Sequence, residues 1–273
     1  VDINTKNKDG DNMLIFVVAH HHEDADVMIR TLLSAGADVN IRNCHGKTAL
    51  MITAEYPNEY SIMKMTVLIN AGADVRVQSY YGQTALMLLA TPDKNKHALG
   101  MMRELITAGA DVNTKDEEGR TALMHVTYWN SEQTNEKMLV LLQNGADVNA
   151  QNEEGDTALM NAIYNIHEIT GTMIQTLLSV GTYVNIQNKN GKTALMLVAE
   201  HGGEYANTFI HILIRAGAKV NMQDNFGNTA LIDFIYHGGK HTEAIIHILL
   251  SEGAKVNARD QEGSTALMIA TGE

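Results

Sequence analysis

The sequence predicts an all-α solenoid of stacked helix–turn–helix–loop units running from one end of the chain to the other. Three observations carry that expectation. A glycine opens a T-A-L-like segment at Gly10 (GDNMLI), Gly46 (GKTALM), Gly82 (GQTALM), Gly119 (GRTALM), Gly155 (GDTALM), Gly191 (GKTALM), Gly227 (GNTALI) and Gly263 (GSTALM), at intervals of 36, 36, 37, 36, 36, 36 and 36 residues. A second glycine keeps the same time, in GADVN at Gly36, GADVR at Gly72, GADVN at Gly109 and Gly145, GTYVN at Gly181, and GAKVN at Gly217 and Gly253. Between the two beats lie two short apolar segments separated by a turn. A period of 20–50 residues marks units that bury their apolar faces only by stacking on one another.

The unit Gly46–Gly82 shows how each element arises. Thr48 is placed to cap a helix, because its hydroxyl can accept from an amide that the first turn leaves without a partner. Ala49, Leu50, Met51 and Ile52 start a short apolar helix, and Pro57 with Asn58 ends it. Ile62, Met65, Val67, Leu68 and Ile69 form the stripe of a second helix, which Gly72 stops in the position that favours a left-handed backbone. From Ala73 to Tyr81 the chain is polar and leads into the next opening glycine.

The G-x-T-A-L and G-A-D-V-N segments together resemble the ankyrin-repeat family across the whole chain, with seven full units and the first helix of an eighth. The resemblance implies one ankyrin-repeat domain over residues 1–273, with the first helix of each unit and the loop tips lining a concave recognition face. Two features depart from the family pattern. The unit is about three residues longer, and the extra residues fall between the paired helices, as at Tyr56–Ser61. T-A-L-M replaces T-P-L-H, so Ala49 stands where a helix-starting proline is usual and Met51 where a buried histidine is usual. Methionine fills irregular core gaps, so Met51, Met87, Met124, Met160, Met196 and Met268 are expected to form an apolar wedge.

Composition narrows the function classes. Cys44 is the only cysteine, so no intramolecular disulfide forms, in keeping with a reducing, cytoplasmic setting. No apolar run approaches the ~18 residues of a membrane-crossing helix. Val1-Asp2-Ile3-Asn4 is in phase with Ala37-Asp38-Val39-Asn40, and the chain stops inside a unit at Glu273, so a piece of a longer array is expected.

The candidate recognition residues come from reading down the columns. Residues nine and ten after each opening glycine end the first helix, and they include Tyr56, Tyr128, Trp129, Tyr164 and Tyr236. The loop tips include Tyr80, Tyr81 and Phe226, with Glu117, Glu118, Glu153 and Glu154. Eight of the fourteen aromatic residues fall in these two sets, and rigid aromatics dominate binding hot spots. Residues 111–160 carry ten acidic side chains against Lys115, Arg120 and Lys137, which is −7 of a net −12. Such a patch steers a basic partner and repels phosphate backbones, which disfavours nucleic acid.

Other constellations point to chemistry only weakly. His20, His21 and His22 are metal-ligand types, but successive residues at a helix end point apart. Cys44 beside His45 lacks the oriented base that nucleophilic catalysis needs. His201 and His237 share a column and suggest a pH-sensitive rim. The glycine pairs Gly202-Gly203 and Gly238-Gly239 lack the strand and the lysine–hydroxyl pair of a phosphate loop.

The resulting expectation is a monomeric, non-enzymatic, cofactor-free scaffold that binds a protein with a basic surface. Two alternatives stand beside it: a stoichiometric inhibitor, immunity protein or bacterial effector module that blocks a target enzyme, and the targeting arm of an enzyme whose catalytic domain lies outside this chain.

Overall fold

The computed structural model describes residues 2–20, 24–91, 97–129, 131, 133–237 and 242–272. Two compact units divide the chain, Val1–Asp147 and Val148–Glu273. The first holds the helix pairs α1 (Met13–Ala19) and α2 (Ala25–Ser34), α3 (Ala49–Glu55) and α4 (Ser61–Asn70), α5 (Ala85–Ala90) and α6 (Ala98–Thr107), and α7 (Ala122–Tyr128) and α8 (Thr134–Gln143). The second holds α9 (Ala158–Tyr164) with α10 (Thr170–Ser179), α11 (Ala194–His201) with α12 (Ala206–Arg215), α13 (Ala230–His237) with α14 (Thr242–Ser251), and α15 (Ala266–Thr271). Among the described residues the only β pairing is an isolated bridge between Arg259 and Thr265.

Within each unit the paired helices pack on each other and on the equivalent helices of adjacent repeats, and α15 packs on α13. In the first unit the short helices α1, α3, α5 and α7 form one layer and α2, α4, α6 and α8 the other. In the second, α9, α11, α13 and α15 form the short-helix layer, with α10, α12 and α14 outside it.

The caps follow the sequence. Asn12 Oδ1 accepts from the Ile15 amide at 3.0 Å, and the threonine hydroxyls of Thr48, Thr84, Thr121, Thr157 and Thr193 accept from the methionine amide three residues on at 3.3–3.4 Å. Met51, Met87, Met124, Met160 and Met196 are buried to about 1% exposure, so the expected apolar wedge is present. Met268 is only half-buried, because α15 has an equivalent neighbour, α13, on one side alone. The longer unit is accommodated where expected, as α3 ends at Glu55 and α4 begins at Ser61.

One buried column departs from the stripe read from sequence. Lys64 is fully buried while Ile62, two residues earlier, is exposed. The Lys64 ammonium donates to the carbonyls of Val18 and His20, both at 3.0 Å, at the C-terminal end of α1. Lys137 does the same two repeats on, donating to Leu89 O at 2.7 Å and Thr91 O at 3.3 Å at the C-terminal end of α5. Equivalent positions in other repeats hold Met173, Phe209 and Ile245. A helix C-terminus presents carbonyls without partners and a partial negative charge, which is what makes a buried lysine tolerable here. Burial still holds the Lys64 amine below the ordinary lysine range.

The repeats are locked in register by three sets of polar rungs. The asparagine closing G-A-D-V-N reaches into the next repeat: Asn40 Nδ2 donates to Gly72 O at 3.1 Å while its Oδ1 accepts from the Asp74 amide at 2.8 Å. Asn4, Asn113, Asn149, Asn185 and Asn221 repeat the clamp. Two residues on, Gln78, Gln187 and Gln223 each donate to two carbonyls, one in their own repeat and one in the next, as Arg42 also does. At the loop tips a backbone bond joins neighbours, as from the Tyr80 amide to His45 O at 3.0 Å. The opening glycines allow this close approach. Gly82 has φ +71°, and a Cβ there would sit 2.6 Å from the Glu117 amide nitrogen.

Arg76 breaks the asparagine series. It pairs with Asp74 in its own loop at 3.1 Å, and among the described residues Gly109 O receives no asparagine rung. Arg76→Asn is therefore expected to raise stability by about 1 kcal/mol, and Asn40→Ala to lower it by about 1–3 kcal/mol. Urea melts of the two variants beside wild type check both signs.

Candidate functional site

In three repeats the end of the short helix is tied to the base of its own loop tip across eight residues. Lys47 Nζ meets Glu55 Oε1 at 2.5 Å, and Lys192 pairs with Glu200 in the same columns. The two copies of GKTALM thus share more than a helix start, since the lysine of each reaches a glutamate at the far end of the helix it opens. In the Gly155 repeat the same columns hold Asp156 and Tyr164, and the tyrosine hydroxyl donates to Asp156 Oδ1 at 3.0 Å.

These struts present the aromatic columns. In the first unit Tyr56, Tyr80 and Tyr81 are more than half exposed, and Tyr128 and Trp129 are 38% and 42% exposed with their rings edge-to-face at 5.0 Å. The Arg42 guanidinium lies over the Tyr80 ring, 5.1 Å from its centroid. In the second unit Phe226 and Tyr236 are exposed. Tyr183, in the variant GTYVN segment, is 70% exposed and was missed because its column elsewhere is polar. Only Phe209 and Phe234 of the fourteen aromatic residues are buried.

Tyr164 is placed differently from its column-mates. It is half-buried, and Asn188 Nδ2 donates both to Asp156 Oδ1 at 2.8 Å and to the Tyr164 oxygen at 3.3 Å. Burial first, then the neighbouring Asp156 carboxylate, pushes the Tyr164 hydroxyl well above its ordinary pKa. Burial likewise raises Asp156, against the hydrogen bonds from Asn188 and Tyr164. The ring meets His201 edge-to-face at 5.2 Å. This side chain braces two repeats, which the spacing of aromatics alone could not reveal.

The acidic tips also differ among themselves. Glu117, Glu153 and Glu154 are exposed. Glu118 is exposed but paired with Arg120 at 2.7 Å, which offsets its charge. Of the metal-type candidates, His21 and His22 lie outside the described residues. His20 Nδ1 sits 2.7 Å from Phe16 O and its ring packs on Phe16 at 4.1 Å. No group of three or more metal-type side chains converges among the described residues, and Cys44 is exposed at a loop tip.

A buried ionisable pair recurs in two repeats with opposite chemistry. In the Gly119 repeat His125 Nε2 meets Asp116 Oδ2 at 2.8 Å, with both side chains buried. Burial pushes the Asp116 carboxyl up, but the His125 hydrogen bond and the Arg120 amide bring it below its ordinary range. The same two columns in the Gly227 repeat hold Asp233 and Asp224. Both are buried, and the Oδ2 atom of each has no hydrogen-bond partner. Burial, opposed by Lys192 and reinforced by the Asp224 and Glu200 charges, raises Asp233 to about 7. His237, beside them, donates from Nδ1 toward Asp233 O and lies 3.8 Å from Glu200, which also neighbours His201 at 3.5 Å.

The sign of the pH effect follows. A carboxyl whose folded pKa is raised contributes stability that is present below the ordinary carboxylate range and is lost as pH rises through about 7. Thermal melts should therefore show the second unit weakening between pH 5.5 and pH 8, by a few kcal/mol at most. Asp233→Asn should flatten that dependence, and Asp233→His should mimic the Asp116–His125 pair and raise stability at pH 8.

A family model described as ankyrin repeats (3 copies) matches residues 1–79, 58–152, 129–211 and 198–273. No curated protein matches the chain. No described helix is long and apolar enough to cross a membrane. The match spans the whole chain and agrees with the helix pairs, caps and inter-repeat rungs: the chain belongs to the ankyrin-repeat family, whose repeats are protein–protein interaction modules.

Proposed function

We propose that the chain is a non-enzymatic, monomeric scaffold that takes a partner protein with a basic surface against its loop tips and short-helix ends. The observation that carries this reading is the inverted use of aromatics. Nearly all of them stand outside the core, and Tyr56, Tyr80, Tyr81, Tyr128 and Trp129 of the first unit lie on those two sets of positions. Exposed large rings leave apolar surface in water, whereas at an interface they bring rigid contact area at low entropic cost. The capped helices and polar rungs fix the columns before contact, which lowers the ordering cost of association.

Charge supports the basic partner. Glu117 of the first unit and Glu153 and Glu154 of the second are exposed at loop tips, and the chain carries a net −12. Exposed like charges act mainly on encounter rate and its salt dependence.

Trp129→Ala is expected to weaken partner binding by about 2 kcal/mol or more while leaving helicity unchanged, read by titration of the captured partner beside circular dichroism. Undiminished affinity would remove Tyr128 and Trp129 from the interface. Charge reversal of Glu117, Glu153 and Glu154 should slow association and flatten its salt dependence with little effect on dissociation.

A further inference from the structure

We propose that the cleft between the first two short helices and their loop tips is a receptor for one arginine side chain of the partner. This deepens the proposed docking of a basic surface and rests on it. The cleft has a volume of about 430 Å³ and lies wholly in the first unit. That places it within the roughly 300–1,000 Å³ of ligand-sized clefts.

Three kinds of surface meet there. Ile15 and Ala19 of α1 and Ile52 of α3 supply apolar wall, Tyr56 and Tyr81 supply exposed rings, and Asp9, Asp11 and Glu55 supply carboxylates. Lys47 is the one lysine or arginine in the lining, and it is held on Glu55 Oε1. Glu55 Oε2 is buried and takes no hydrogen bond. Asp11 Oδ1 accepts from Asn43 at 3.0 Å, while Asp9 is exposed and makes no ion pair among the described residues. Three carboxylates against one ammonium leave an excess of negative charge beside a carboxylate oxygen already stripped of solvent.

That combination selects its occupant. An anion meets uncompensated carboxylates, and a purely apolar side chain leaves the exposed Asp9 carboxylate without a counter-charge. A long cationic side chain satisfies all three surfaces, since its methylenes lie on apolar wall while its head reaches the carboxylates. Arginine fits better than lysine. Its planar guanidinium offers several donors in a fixed fork, stacks on tyrosine faces and is more weakly hydrated than an ammonium. The chain already uses that pairing internally, in Arg42 over Tyr80.

The test uses the full chain labelled at isoleucine δ1-methyls and titrated with N-acetyl-arginine amide. The expected result is saturable shifts at Ile15 and Ile52, with Ile29 and Ile174, buried elsewhere, unmoved. Affinity should fall at least about fivefold in Asp9→Asn and in Tyr81→Ala, two exposed tip positions whose substitution leaves the core intact. Three results overturn the proposal: no saturable shift, equal shifts with the neutral N-acetyl-citrulline amide, or equal affinity for N-acetyl-lysine amide. Because the probe is read without the partner, its failure leaves the docking reading standing. Conversely, loss of the Trp129 effect on the partner would not move these methyls.

Discussion

Everything in this chain depends on holding the apolar stripe of each helix pair against the next at a fixed offset. A hairpin of a seven-residue and a ten-residue helix is too short to persist alone, and its Leu and Met side chains become buried only when an equivalent hairpin lies beside it. Apolar packing is nondirectional and would tolerate slippage. The direction comes from the polar rungs: the asparagine clamp, the glutamine or arginine bridge and the backbone bond between loop tips. These can form only at one spacing, so a 36-residue beat in the sequence becomes a 36-residue beat in space. The opening glycines are part of the same constraint, because a side chain at Gly82 would drive into the neighbouring backbone.

The legible part of the fold was the part each repeat spells alike. Threonine before Ala-Leu-Met, glycine after the second helix and methionine in the core all follow from local rules that need no knowledge of a neighbour. The unread part involves a partner one or two repeats away. Lys64 stands outside the apolar stripe of its helix, and only the carbonyls of Val18 and His20 explain its burial. The asparagine of G-A-D-V-N was visible as a motif, but its role as a clamp depends on Gly72 and Asp74, more than thirty residues on. Ser61, Thr134 and Thr170 are similar: each buried hydroxyl accepts from the amide three residues earlier and closes the widened turn between helices. Their shared column was there to be read.

The candidate site was legible as columns but not as individual roles. Position alone grouped Tyr128, Tyr164 and Tyr236, nine residues after their opening glycines where the Gly46 and Gly191 repeats carry Glu55 and Glu200, yet the residue eight places earlier differs from repeat to repeat. In the Gly46 and Gly191 repeats that residue is lysine, and it takes the glutamate at the column's start. In the Gly155 repeat it is Asp156, which captures the Tyr164 hydroxyl and turns a candidate contact into a brace. A column of aromatics is therefore a set of potential contacts, filtered by what stands at the base of each tip.

The same filter explains why two repeats with matching backbones respond oppositely to protons. His125 and Asp116 complete each other through one buried hydrogen bond, so neither facing atom is left without a partner. Asp233 and Asp224 occupy the same two places with no such complement, and the backbone offers the orphaned oxygens nothing in exchange. An isolated buried carboxylate is costly to ionise, so the pair retains a proton well above the ordinary carboxylate range through Asp233. Lys192 and, more weakly, His237 oppose this from nearby, and Lys192 is already committed to Glu200. In a repeat array the fold supplies equivalent seats, and the chemistry of each seat is set by which two residues share it.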